Sequence, residues 1–147
     1  MTDANTIMAA ARARLSAAWP AALDLTGSAH SADQERLPAW RARVEPGDAE
    51  PAGMNEAAWL RDADLIVEIT VTPPAADPEA TLQALGVWAQ AVLLGPPADL
   101  GLELLRCDPA GIAVEHATGK RQVGRVEITV ALQFEEALSA PTLPNLE

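Results

Sequence analysis

The sharpest pattern in the chain is a strict alternation near its C-terminal end. Over residues 123–134, Val126, Ile128, Val130, Leu132 and Phe134 fall on one side. Arg125, Glu127, Thr129, Ala131, Gln133 and Glu135 fall on the other. A period of two predicts a strand with one face in the core. A second alternation runs over residues 59–71, where Leu65, Val67, Ile69 and Val71 oppose Asp64, Glu68, Thr70 and Thr72. Ile66 alone breaks it, so the segment reads as one long strand or a bulged pair. Residues 37–44 predict a third strand, with Ala39, Arg41 and Arg43 alternating against Trp40, Ala42 and Val44. Pro38 puts it at a strand start or a sheet edge. Residues 100–107 and 112–116 flank an Asp108-Pro109-Ala110-Gly111 turn and predict a hairpin; residues 118–121 form another turn.

The helical period appears twice. Residues 77–95 place Leu82, Leu85, Ala89, Val92 and Leu93 on one stripe. Asp77 reads as the N-cap, Pro78 as the first helical residue, and Glu79 meets the positive helix end. Gly95-Pro96-Pro97 stops the helix. Trp88 lies beside the apolar stripe and is expected in the core. An earlier helix starts at an Asn5 or Thr6 cap and runs to Ala18 or Trp19, where Pro20 ends it. Its face is Ile7, Ala11, Leu15 and Ala18, with Arg12 and Arg14 off the stripe. Residues 23–36 are turn-rich, with at most a short strand at 22–25.

This order predicts an α+β domain over residues 1–137: a largely antiparallel four- to five-stranded sheet with two main helices packed on one face. A flexible acidic loop is expected at 45–58, where the sequence EPGDAEPAGMNE has little to bury, and an extended tail at 138–147.

Composition narrows the function classes. A chain of 147 residues, 49% apolar, makes one domain with a real core. A net charge of −11 disfavours a role that neutralises nucleic-acid phosphates, but suits a wall that DNA passes without sticking. Cys107 is the only cysteine, so neither an internal disulfide nor a Cys-rich zinc site forms. The N-terminal residues lack the apolar core of a secretory signal, and no apolar run reaches the roughly 18 residues of a membrane span, so a cytoplasmic origin is expected.

Candidate chemistry is sparse. His30 lies near Asp33 and Glu35; His116 adjoins Glu115, but strand neighbours point to opposite faces. Arg106 beside Cys107 could lower a thiol pKa. Asp62 and Asp64 suggest a cation site or, more simply, a solvated edge. None of these spacings defines a reaction, so no catalytic, cofactor or metal residue is assigned and no enzyme is expected. Trp40 and Trp59 flank the acidic stretch, and belong either to the core or to a subunit contact.

Several stretches together resemble a known family. They are the N-terminal helix with ARARL, the segment ERLPAWRARV, the strand LRDADLIVEITV leading into DPEATLQALGVWAQAVLL, and the return strand GRVEITVALQFEE. In order and spacing the chain resembles the tail terminator proteins of long-tailed bacteriophages and prophage-derived particles such as gene transfer agents, the minor tail protein U type. The acidic stretch and the tail from Ser139 depart from the family pattern. The resemblance implies a structural virion protein: a six-fold homo-oligomeric ring that caps the tail tube, stops its polymerisation and joins it to the head connector. The implied partners are its own copies, the major tail tube protein and a head-side stopper protein, with DNA only in passage and no membrane. The implied location is the virion tail, assembled in the bacterial cytoplasm. An exposed sheet edge could pair with the neighbouring subunit. Trp40, Arg41, Arg43, Glu45, Asp48, Glu50 and Trp59 are the candidates for subunit or tube contact; the acidic residues either face the lumen or form a solvated surface. Alternatives are another head–tail joining or tail-completion protein, and a small ferredoxin-like ligand-binding or regulatory domain.

Overall fold

The computed structural model describes residues 2–28, 37–53, 58–74, 76–117, 123–137 and 144–146. The elements run α1 (Ala4–Ala18), β1 (Leu23–Asp24), β2 (Ala39–Pro51), β3 (Ala58–Val71), α2 (Pro78–Leu94), β4 (Arg106–Ala117) and β5 (Val123–Ala137). A 3-10 turn, Asp99–Gly101, leads from α2 toward β4. The five strands form one sheet in the order β1-β2-β3-β5-β4. Every neighbouring pair is antiparallel except the two-residue β1 against β2. The expected α+β architecture is therefore the observed one.

β5 lies between β3 and β4, so the β3–α2–β4 crossover is split by an antiparallel strand. That is the split βαβ arrangement of ferredoxin-like units, here preceded by α1 and β2. The alternating residues of β3 and β5 meet in register, Leu65 with Val130, Val67 with Ile128 and Ile69 with Val126. All six are at most 1% exposed. Ile7, Ala11 and Leu15 of α1 and Leu82, Ala89 and Leu93 of α2 close over this face. Each fully buried Leu or Ile side chain stabilises by about 1.5–3 kcal/mol relative to exposure, which is why the period-two and period-3.6 stripes select each other.

The helices dock in different ways. α1 is capped by Asp3, not Asn5 or Thr6: its carboxylate accepts from the Thr6 N–H at 2.7 Å and the Thr6 hydroxyl at 2.8 Å. Ala18 is exposed. At α2, Asp77 occupies the cap position but is left-handed, at φ 49°, and its side chain makes no capping bond. Leu85 and Val92 are only half-buried; the inward row is Leu82, Gly86, Ala89 and Leu93. Gly86 takes part because nothing larger fits over β4 and β5. The other end of α2 is capped from α1. The Arg14 guanidinium donates to the carbonyls of Leu93 at 3.1 Å, of Gly95 at 2.7 Å, and of Pro97. A cation on the last carbonyls also meets the negative helix end.

Two loop or turn expectations are replaced by strand. The acidic stretch from Glu45 to Pro51 is not loop but the outer half of β2, paired with β3 as far as Pro51 and Trp59. It could not be recognised by alternation because an extra residue enters between Pro46 and Ala49, and it buries little. Residues 54–57 lie outside the described residues. The Asp108–Gly111 segment is no turn: β4 runs through it, with Ala110 as a bulge between the pairs Pro109–Val130 and Gly111–Thr129. Residues 100–105 are not strand; they hold the 3-10 turn and an extended approach to β4. The turn expected at 118–121 and nearly all of the tail at 138–147 lie outside the described residues. Among the described residues, no helix is long and apolar enough to cross a membrane.

Candidate interaction surface

Both helices cover one side of the sheet, and among the described residues no helix covers the other. Its side chains follow from the register. One row across β2, β3, β5 and β4 is Arg41, Glu68, Glu127 and Ala113. The next rows outward are Arg43, Ile66, Thr129 and Gly111, then Glu45, Asp64, Ala131 and Asp108. On the other side of the first row lie Ala39, Thr70, Arg125 and Glu115. Asp62, Gln133 and Arg106 continue the same face, and Glu50, Leu60 and Glu135 end it. Over the whole face nine acids stand against four arginines. Ile66 and Thr70, in the middle, are 5% and 4% exposed. The long charged side chains around them cover their apolar atoms, which accounts for the one break in the β3 alternation.

The charges are cross-linked loosely. Arg43 reaches Glu45 at 3.0 Å and Glu127 at 4.0 Å, and Arg106 reaches Asp108 at 2.9 Å. Asp62 accepts from the Gln133 amide at 3.1 Å. These pairs are solvent-exposed and contribute at most about 1 kcal/mol each. Two shallow depressions, of about 160 and 320 Å³, share Glu68 and Arg125 in their walls. Acid and base interleave in both, so neither concentrates one sign of charge around a bound small ion.

The sequence-derived contact residues separate on this frame. Arg41, Arg43, Glu45 and Glu50 lie on the open face, and Asp48 sits in the β2 bulge. Trp40 points into the core at 2% exposure, so it is no surface anchor. Trp59 is half-buried on the opposite, helix-bearing side, near Arg61, which bonds the Gly47 carbonyl at 3.1 Å and pairs with Glu136 at 3.3 Å. The structure adds Asp64, Glu68, Arg125 and Glu127 to the same surface. Their alternation was visible in the sequence, and two helices expected on one face of the sheet already put these side chains on the other side.

The chemical candidates do not converge. His30, Asp33 and Glu35 lie outside the described residues. His116 faces the helix side near Glu79 and Gln83, away from Glu115, and its buried Nε2 has no hydrogen-bond partner among the described residues. The Cys107 thiol is pushed up by burial and by the Asp99 and Asp108 carboxylates, against a smaller opposing effect of Arg14. Arg106 does not activate it, because its guanidinium is directed to Asp108. Among the described residues, no three His, Cys, Asp or Glu side chains gather closely enough to hold a metal ion.

Trp88, expected in the core, is 37% exposed on the outer side of α2, edge-on to Trp19 with ring centres 5.7 Å apart. The outer face of α2 is thus the counterpart of the acidic sheet face: its exposed side chains beyond Glu79 carry no charge. No protein-family model matches the chain, and no curated protein matches it.

Proposed function

We propose that this chain is a structural assembly protein of the tail terminator kind, a ring subunit that caps a tail tube and joins it to the head connector. The observation that carries this reading is the division of the molecule into two surfaces: an acid-rich sheet face and an outer face of α2 that carries no charge beyond Glu79. A ring through which DNA passes needs a wall that repels phosphate, and protein neighbours need a surface that costs little to desolvate. The sequence resemblance supplies the specific role, and the wide, shallow surface suits a protein partner better than a small ligand. In this reading the subunits meet head to tail, with the β2–β3 arm bearing Glu45, Asp48 and Glu50 directed toward the lumen.

The test is deletion of the gene in the producing strain, with electron microscopy of the particles. Overlong or headless tails are expected, together with rings at the head-proximal end when the protein is restored. Tails of normal length, joined to heads, would overturn the reading.

A further inference from the structure

Two acids meet in the middle of the outer sheet face. Glu68 of β3 and Glu127 of β5 are directly opposite each other in the register. Side chains so placed have their Cβ atoms about 5 Å apart, and like charges there destabilise the pairing. Both residues are half-buried, so water screens them only in part. Among the described residues Glu68 has no ion-pair partner, and Glu127 meets Arg43 only at 4.0 Å. Arg43 holds Glu45 more closely, at 3.0 Å. A cationic group that settles between the two carboxylates relieves their repulsion as it binds.

A second observation lies beside the pair. Thr70, two residues along β3 on the same face, is 4% exposed and lines the smaller depression with Glu68 and Arg125. Its hydroxyl has no hydrogen-bond partner among the described residues. A buried hydroxyl normally has one, so this oxygen is left for a donor that enters the depression.

The surroundings say what that donor belongs to. Nine acids against four arginines repel nucleic acid and attract a basic chain. A lone metal ion does not fit: among the described residues no three His, Cys, Asp or Glu side chains gather closely, and Arg125 stands in the walls of both depressions. The two depressions lie side by side across β2, β3, β5 and β4, a span of three strand spacings or about 14 Å. That is the breadth of a peptide segment. It offers places for basic side chains at the Glu68–Glu127 pair and at Glu115, and for an acidic one at Arg125.

We propose that a basic segment of a protein partner docks across the outer sheet face, with an ammonium or guanidinium group between Glu68 and Glu127 and beside the Thr70 hydroxyl. The docking is a property of the free protein and does not rest on the terminator reading, so its failure leaves the tail-length test untouched.

Fluorescence anisotropy of a labelled oligolysine peptide against the full chain, at several salt concentrations, tests it. The peptide should bind at low salt and weaken as salt rises. Glu68→Gln/Glu127→Gln should weaken binding about tenfold or more, and it removes a repulsion, so the fold is retained. Asp77→Asn/Glu79→Gln takes the same two charges from the exposed start of α2, away from this face, and should change binding by no more than about twofold. Thr70→Val keeps the side-chain volume without the hydroxyl and should weaken binding about threefold. Equal losses in the two double variants, or no binding at low salt, would overturn the proposal. Unchanged affinity in Thr70→Val would overturn its placement at the depression. Spermine that displaces the peptide at equal concentration would overturn a polypeptide partner in favour of a small polycation.

Discussion

Gly86 of α2 sits directly over Ile112 of β4. A Cβ at position 86 would lie 2.5 Å from Ile112 Cγ2 and 3.0 Å from Val126 Cγ1, closer than real side chains approach. The glycine is therefore what lets the helix reach the sheet. Its neighbour in this contact is Leu82, whose Cδ2 would lie 2.7 Å from a Cβ at Gly124. Two glycines, one on each layer, set the distance between them.

Gly86→Ala puts two effects in opposition. Alanine favours the helix by about 1 kcal/mol. Overpacking a close contact costs about 1–3 kcal/mol. At these distances the branched Ile112 and Val126 side chains have little room to yield, so the variant should be less stable by about 1–2 kcal/mol net. Urea denaturation measures this. A variant as stable as the wild type would show that α2 stands further off the sheet.

Removing the cap that α1 lends to α2 should also be measurable. Arg14→Ala leaves carbonyls at the end of α2 without their donor and should cost about 1–2 kcal/mol. Arg14→Lys restores the charge but not the planar fork that reaches three carbonyls, so it should recover only part of the loss. Full recovery by lysine would mean that charge alone, and not the geometry of the donors, holds the two helices together.

Acid should remove a specific contribution at Asp24. Burial raises its pKa, but hydrogen bonds from the Thr26 side chain and N–H and the Arg12 guanidinium outweigh this, and the carboxyl is lowered below its ordinary 3.8. Because the folded value is the lower one, the unfolded chain binds the proton more readily. Stability is therefore full above pH 3.8 and is lost as the pH falls through the folded value. Asp24→Asn should destabilise near neutrality and lose that difference in strong acid. A gap between the two proteins that persists well below pH 3.8 would contradict the assignment.

How much of this was legible in sequence depends on how regular each segment is. β5 carries uninterrupted alternation into the core and β3 an alternation broken only at Ile66, so the period placed β5 outright and β3 as one long strand or a bulged pair. Both strands with an extra residue were misread: β2 beyond Glu45 as loop, and β4 around Ala110 as turn. A bulge shifts the phase, and proline and glycine at the same place imitate a break. In α2 the stripe Leu82, Leu85, Ala89, Val92 and Leu93 holds three of the four inward residues but misses Gly86, because a glycine adds nothing to hydrophobic periodicity. Trp88 was placed inside for the same reason: both sides of α2 are apolar, and period cannot say which one the sheet takes. The sign of the outer sheet face was readable, and two helices expected on one face already told which side they leave bare.

The corrected core makes a sharper contrast than the stripe did. Leu82 is fully buried, so Leu82→Asp should prevent folding by burying an unpaired carboxylate. Leu85→Asp sits on the half-exposed shoulder and should leave a folded but weakened protein. Circular dichroism and solubility separate the two outcomes. Equal behaviour would mean that α2 is rotated about its axis relative to this arrangement.

Neutralising the arm should leave the fold alone. Glu45→Gln, Asp48→Asn and Glu50→Gln change exposed positions and should alter stability by no more than about 0.5 kcal/mol each. Under the proposed function their effect appears in particle assembly or DNA passage, scored as infectivity or transfer frequency. A large loss of thermal stability in the triple variant would show that the arm carries fold energy.

The bulges have a bearing on solubility. Beyond its two-residue contact with β1, β2 is an outer strand, and β4 is the outer strand on the opposite side. An unprotected outer strand of this length would recruit further chains through its backbone and grow into fibrils. In β2 the extra residue lies between Pro46 and Ala49, and in β4 beside Pro109. Proline withholds a donor and a bulge bends the strand, so the two outer rows of amides and carbonyls are each broken midway. Neither outer strand therefore offers an unbroken backbone template along which further copies could stack.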